Sequence, residues 1–374
     1  MDPLETRLKT ALANYIGYPC NSSYDYSSVA KYSSIHINNV GDPNVTGTYH
    51  ANTKDIEKEV LAFFADLWGI DKSNTWGYIT NAGTEGNLQG LYVARESASV
   101  NGGDSTGQRP HVFLTSTNSH YSIFKIARLL QLNLIKVNSQ ECGEIDYTDF
   151  ERHVATHQDK YIIVNANLGT TMKGALDNTR EIFRILKKYK KHNDSYIHMD
   201  GALTGFYLPF IEKDLLFKAH INSMSISGHK WLGVPFPCGI FIMEKRFLER
   251  VSNNVEYIGS NDCMISGSRN GHAPIFLHHI ITHKTYEGFQ ADIKQCIDLA
   301  EYLVDHVEGA WRNHNSVTVV IPRPSESIIQ KWQLATEGDI SHVVCMPHVT
   351  KEKLDEFIKD LSNHTNIDSL NASF

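Results

Sequence analysis

Ser227-Gly228-His229-Lys230-Trp231 is the stretch whose reading decides the fold. It follows an apolar, strand-like run, Ile221-Asn222-Ser223-Met224-Ser225-Ile226. About 30 residues upstream stands a second such run with an acid at its end, Tyr196-Ile197-His198-Met199-Asp200-Gly201-Ala202. A carboxylate and a lysine, each at the carboxyl end of a neighbouring strand in an α/β chain, are the pair that pyridoxal phosphate (PLP) requires. The amine condenses with the cofactor aldehyde, and the acid keeps the pyridine nitrogen protonated so that the ring accepts electrons. Most lysines are solvated surface charges. Lys230 differs because its flanks are small or apolar, with Trp231-Leu232-Gly233-Val234-Pro235 following at once. Such a setting desolvates the amine and favours its neutral, nucleophilic form.

The 374 residues suffice for a large core, with a major and a minor domain. Hydrophobic residues make up 41% and charged residues 21%, the balance of an ordinary globular enzyme. A formal net charge of −7 argues against a nucleic-acid partner held by the overall field. The basic run Lys187-Lys188-Tyr189-Lys190-Lys191 reads as a solvated helix end. Six cysteines lie scattered without a CxxC pair, which gives neither a zinc site nor a disulfide framework and points to a reducing cytoplasm. The start, Met1-Asp2-Pro3-Leu4-Glu5, carries no basic-then-apolar signal, and no apolar run approaches the ~18 residues that span a bilayer. The 19 histidines show no HExxH or comparable spacing, so no metal is expected.

From Asp55 to Glu244 helical and strand-like segments alternate, which predicts an α/β fold with a mostly parallel sheet covered on both faces. Strands are expected near 76–80, 111–114, 132–137, 161–164, 196–199, 223–226 and 239–243, and helices near 56–65, 87–95, 120–130 and 179–190. Ligands in such sheets sit at the carboxyl ends of strands. The segment Ser97 to Arg109 reads as a surface loop. Pro274 to His306 reads as helical and leads to strands at 317–321 and 341–346 and a helix at 351–361, a small α+β unit. The division expected is an N-terminal arm over 1–54, a large cofactor-binding domain over 55–272, and a linker helix with a small domain over 273–374. The polar end, Asn363 to Phe374, is expected to fray.

Four further stretches carry candidate chemistry. Asn81-Ala82-Gly83-Thr84-Glu85-Gly86-Asn87 follows a strand and opens a helix, where small residues and the helix dipole suit a phosphate. A tight glycine turn made for packing explains it equally well when it is taken alone. Set beside Lys230 and Asp200 it reads as a phosphate cradle, with Ser227 and His229 as further contacts. His120 in Asn118-Ser119-His120-Tyr121-Ser122 could stack on the cofactor ring or merely cap a helix. Asn167-Leu168-Gly169-Thr170-Thr171 offers hydroxyls near a ring oxygen, or an ordinary glycine turn. Arg269 in Ser266-Gly267-Ser268-Arg269-Asn270-Gly271-His272 reads as an anion holder.

These segments together resemble the group II PLP-dependent amino-acid decarboxylases, in the branch that holds bacterial histidine decarboxylases and plant serine decarboxylases. The resemblance runs over roughly residues 36 to 360. It implies the PLP-dependent transferase fold type I, with a seven-stranded sheet, and a homodimer or tetramer with active sites at the subunit interface. It makes Lys230 the lysine that binds the cofactor, Asp200 the ring-nitrogen partner and His120 the stacking residue. Ala202 would pack on the opposite ring face. Gly83, Thr84, Ser227 and His229 would hold the phosphate, Ser268 would reach it from the second subunit, and Thr170 would bond near the ring.

The implied reaction is loss of carbon dioxide from an amino acid, L-histidine first, L-serine second and other polar amino acids third. The stretch Gly41-Asp42-Pro43 looks like the serine enzymes, whereas Trp311-Arg312-Asn313 and Ser341-His342 look like the histidine enzymes. An aminotransferase or desulfurase on the same fold, or a PLP-binding dimer without turnover, would share the lysine and aspartate. Only carbon dioxide release separates them.

Overall fold

The computed structural model describes residues 2–98, 110–212 and 221–371, of which 364–371 are described by backbone alone. Strands β1 (Thr75–Thr80), β2 (His111–Ser116), β3 (Leu134–Val137), β4 (Tyr161–Asn167), β5 (Ser195–Asp200), β6 (Ser223–Ser227) and β7 (Gly239–Glu244) build one sheet in the order β1-β7-β6-β5-β4-β2-β3. β7 runs antiparallel to both neighbours, and the remaining pairs are parallel. Every residue of β4 and of β6 is buried, as befits strands covered on both faces.

Helix α1 (Pro3–Ala13) buries no residue, and the covering helices are α2 (Lys54–Leu67), α3 (Gly83–Ala98), α4 (Tyr121–Leu129), α5 (Tyr147–Thr156), α6 (Thr179–Lys188) and α7 (Thr204–Ile211). α3 lies across β5, β6 and β7. Its small residues make that approach possible. A Cβ on Gly86 would sit 2.2 Å from Ser225 Oγ, and one on Gly90 would sit 2.2 Å from His198 Nδ1. The packing need and the candidate cradle therefore coincide on one helix.

Beyond the sheet come a short hairpin, β8 (Asn253–Val255) and β9 (Ser260–Asp262), then α8 (His272–His283) against α2, and α9 (Tyr286–His306). The chain ends in an antiparallel sheet of β10 (Thr318–Pro322), β11 (Ala335–Glu337) and β12 (Ile340–Val344), in the order β10-β12-β11, with α10 (Glu326–Trp332) and α11 (Lys351–Asn371).

The structure departs from the sequence reading at several points. The helical stretch from 274 to 306 is two helices, because Thr285 ends the first and caps the second, its Oγ1 accepting from Gly288 N at 3.0 Å. α3 begins at Gly83, four residues earlier than expected. The end expected to fray continues as helix backbone to Asn371. α7 gave no period to read, because all of its residues but Ile211 are buried, and the helix has no polar face. Of the loop expected over 97–109, residues 97 and 98 close α3, and 99–109 lie outside the described residues.

Candidate active site

Adjacent strand ends converge on one cavity of about 310 Å³. Asp200 closes β5, and Lys230 follows β6 after two turn residues, Gly228 and His229, Ser227 being the last of the strand. The cavity is lined by Gly83, Thr84, His120, Thr170, Asp200, Ala202, Ser227, His229 and Lys230. All are residues that the sequence singled out.

Asp200 is the best-supported group of the site. Its Oδ2 accepts from Asn87 Nδ2 at 2.8 Å and its Oδ1 from Ala202 N at 3.1 Å. A carboxylate only accepts, so Asn87 must turn its amide nitrogen towards Asp200 and its oxygen towards His198. His198 Nε2 lies 3.0 Å from that oxygen and must carry the proton, while Nδ1 accepts from the Ser223 hydroxyl at 2.8 Å. One ionised acid thus fixes an amide orientation and a tautomer behind it.

His198 is fully buried, and burial pushes its pKa down to about 4 against the pull of Asp200. The sign follows directly. The unfolded ring takes a proton near pH 6.5 and the folded ring only near 4, so His198 stabilises the fold above pH 6.5 and loses that contribution as pH falls to 4. Between pH 7 and pH 5 the loss amounts to about 2 kcal/mol. Urea denaturation at both pH values should show a loss smaller by that amount in His198→Gln than in the wild type. Equal losses would exclude the neutral buried ring.

Lys230 borders the cavity, half-buried. Burial holds its amine below the ordinary lysine range, while Asp200 and Cys20 pull it back up. His120 proves to be both a helix cap and a cavity wall. Its Nδ1 lies 2.7 Å from Ser122 Oγ and accepts from Ser122 N at 3.4 Å. Burial lowers its pKa, with Asp200 raising it and Lys230 and Lys125 adding to the fall. His229 Nδ1 donates to the Cys238 carbonyl at 3.0 Å. Thr170 Oγ1 accepts from Ala175 N at 3.0 Å, which holds the threonine loop in shape beside the cavity.

Other expectations are redirected. Ser268 is exposed, accepts from Asn38 Nδ2 at 3.0 Å and lies outside the cavity of its own chain. Arg269 is no anion holder here. Its guanidinium is buried in an ion pair with Glu57, donates to Gly41 O at 3.1 Å and lies over the Tyr78 ring. Gly41-Asp42-Pro43 is also turned away from the cavity, Asp42 accepting from Trp76 Nε1 at 3.3 Å. Asn313 ties loops together by donating to Cys142 O and Lys173 O.

The sequence reading missed Asn87 and His198 as a support for Asp200, although a signal was present. His198 and Asp200 are two apart on one strand and therefore share a face. It also missed Tyr18 and Pro19 from the N-terminal segment, and Thr318, Ala335 and Val344 from the small sheet, all of which line the cavity beside His342, to which the resemblance had pointed. No local pattern announces those five, because only the chain's long-range course brings them to Lys230.

An amine of lowered pKa, a carboxylate held by two N–H groups and the N-terminus of α3 face one cavity, and this donor set fits PLP. Residues 22–322 match the family described as pyridoxal-dependent decarboxylase conserved domain. Serine decarboxylase 1 of Oryza sativa subsp. japonica is 43% identical over 356 residues, covering 93% of this chain and 72% of that protein. Histidine decarboxylase of Morganella morganii is 40% identical over 361 residues, covering 93% of each. Among solved structures, L-methionine decarboxylase from Streptomyces sp.590 matches with a TM-score of 0.86 and 25% identity, over 97% of this chain and 94% of that one. The fold is type I and the cofactor is pyridoxal 5′-phosphate. The chain belongs to the group II pyridoxal-dependent amino-acid decarboxylases, in the branch that holds histidine and serine decarboxylases.

Proposed function

We propose that the substrate is L-histidine, converted to histamine and carbon dioxide. The observation that carries this reading is the cavity wall contributed by Tyr18, Thr318, Ala335, His342 and Val344, which combines an aromatic ring, a hydroxyl and small apolar groups. Such a wall suits a flat polar side chain, which needs van der Waals contact on its faces and a hydrogen bond at its edge. L-serine is the second reading. It is favoured by the 43% identity to a serine decarboxylase.

PLP, when bound, supplies the electron-accepting ring that takes up the electron pair left at Cα as carbon dioxide departs. The residues of the chain do the rest. Lys230 would hold the cofactor through its amine, whose charged form burial disfavours. Asp200, held in place by Asn87 Nδ2 and Ala202 N, would face the ring nitrogen and keep its proton there. His120 and Ala202 would pack against the ring and Thr170 would bond near it, while Gly83, Thr84, Ser227 and His229 would hold the phosphate near the N-terminus of α3.

Purified protein supplied with PLP and incubated with each common amino acid in turn should release histamine from histidine faster than any other amine. Ethanolamine from serine as the dominant product would transfer the assignment to the second reading. A keto acid without carbon dioxide would refute both.

A further inference from the structure

We propose that His342 is a positioning residue of the reaction, which fastens an N-terminal strap and the threonine loop to each other along the cavity wall. His342 stands on β12 and is 3% exposed. Both of its ring nitrogens face carbonyl oxygens, Nε2 at 3.0 Å from Gly17 O and Nδ1 at 3.2 Å from Met172 O. Carbonyls only accept, and burial lowers the pKa of His342 against the pull of both carbonyls, so the neutral ring donates to one of them and packs its other edge beside the second. With both nitrogens so directed, the ring can offer the cavity only its carbon edge. Its task is therefore to place other groups, with no proton passed to the substrate.

The two carbonyls belong to the two segments that matter. Gly17 immediately precedes Tyr18 and Pro19, and Met172 immediately follows Thr170 and Thr171, all four of which line the cavity. The strap is drawn tightly across the small sheet. Val344 N donates to Ile16 O at 2.8 Å, and a Cβ on Gly17 would sit 2.0 Å from Gln333 O, so only glycine passes there. At its far end Asn21 N donates to Lys230 O at 2.9 Å. The strap thus runs from the small sheet to the backbone of Lys230 itself, and His342 pins it near its middle. A loose strap would displace Tyr18 and Pro19 and widen the space offered to the amino acid.

The inference rests on the amino acid reacting in this cavity. His342→Phe keeps a planar ring and donates nothing. In this variant KM for the amino acid should rise roughly tenfold, the scale of one lost buried hydrogen bond, with kcat changed less than about threefold. Amide hydrogen exchange over residues 15–21, read without substrate, should quicken roughly tenfold as the strap opens locally. His342→Gln, which can still donate through its amide, should recover part of both effects. If the phenylalanine variant does not fold, His342→Asn, too short to span both carbonyls, serves the same comparison. Wild-type exchange over 15–21 in a folded variant overturns the proposal, whatever happens to KM. Absence of decarboxylation in the wild type would instead refute the proposed function and leave the exchange result standing.

Discussion

Lys230→Ala should leave a folded protein whose turnover is reduced on the order of 10⁴-fold or more. The fold survives because the backbone holds the turn. Lys230 N donates to Ser227 O at 3.4 Å, and Lys230 O accepts from Asn21 N at 2.9 Å and from Gly233 N at 3.1 Å. Removing the side chain also removes an amine whose charged form burial already disfavours, so no paired charge is left stranded. What disappears is the nucleophile. The variant should lose the yellow colour of lysine-bound cofactor while still binding PLP through the phosphate cradle. Lys230→Arg should be equally inactive, because a guanidinium stays protonated and cannot attack an aldehyde. Absorption spectra and carbon dioxide release test both variants. Normal turnover in either would remove Lys230 from its role.

The second large effect is expected at Asp200. Asp200→Ala should lower kcat on the order of 10³-fold, the scale of losing a preorganised charge in a water-poor site, with a smaller change in KM. A structural cost accompanies it. Asn87 Nδ2 loses its acceptor, which destabilises the fold by about 1–3 kcal/mol. Asp200→Asn is informative for another reason. An amide offers a single acceptor oxygen, so it can serve Asn87 Nδ2 or Ala202 N while its NH2 opposes the other donor, and it carries no negative charge for the ring. This variant should therefore be as slow as the alanine variant, although its side chain has the same size as the native one. A kcat within a few-fold of wild type in Asp200→Ala would exclude the acid from stabilising the ring.

The two residues could be found in the sequence because their signal is local. A strand followed by a small-residue turn reveals its own carboxyl end, and the chemistry of an acid and a lysine at neighbouring ends is restrictive. The seven strands and four of the six helices from 55 to 244 were legible for the same reason, since apolar periodicity reports burial along short windows, whereas α5 and α7 were not read. Arg269 shows where such reading fails. Small neighbours made it look like an anion holder, yet Glu57, more than two hundred positions earlier, takes its charge inside the core. A side chain's partner is a property of the fold.

The sequence by itself determined the sheet, the cofactor lysine with its acid, and the family, because each depends on residues close together in the chain. Only the tertiary structure decided that Tyr18, Thr318, Ala335 and Val344 share a wall with Lys230, that Asn87 and His198 stand behind Asp200, and that His342 spans two carbonyls. Those contacts join segments separated by 88 positions or more, and close packing of α3 and of the N-terminal strap, which tolerates only glycine at Gly90 and Gly17, brings them together.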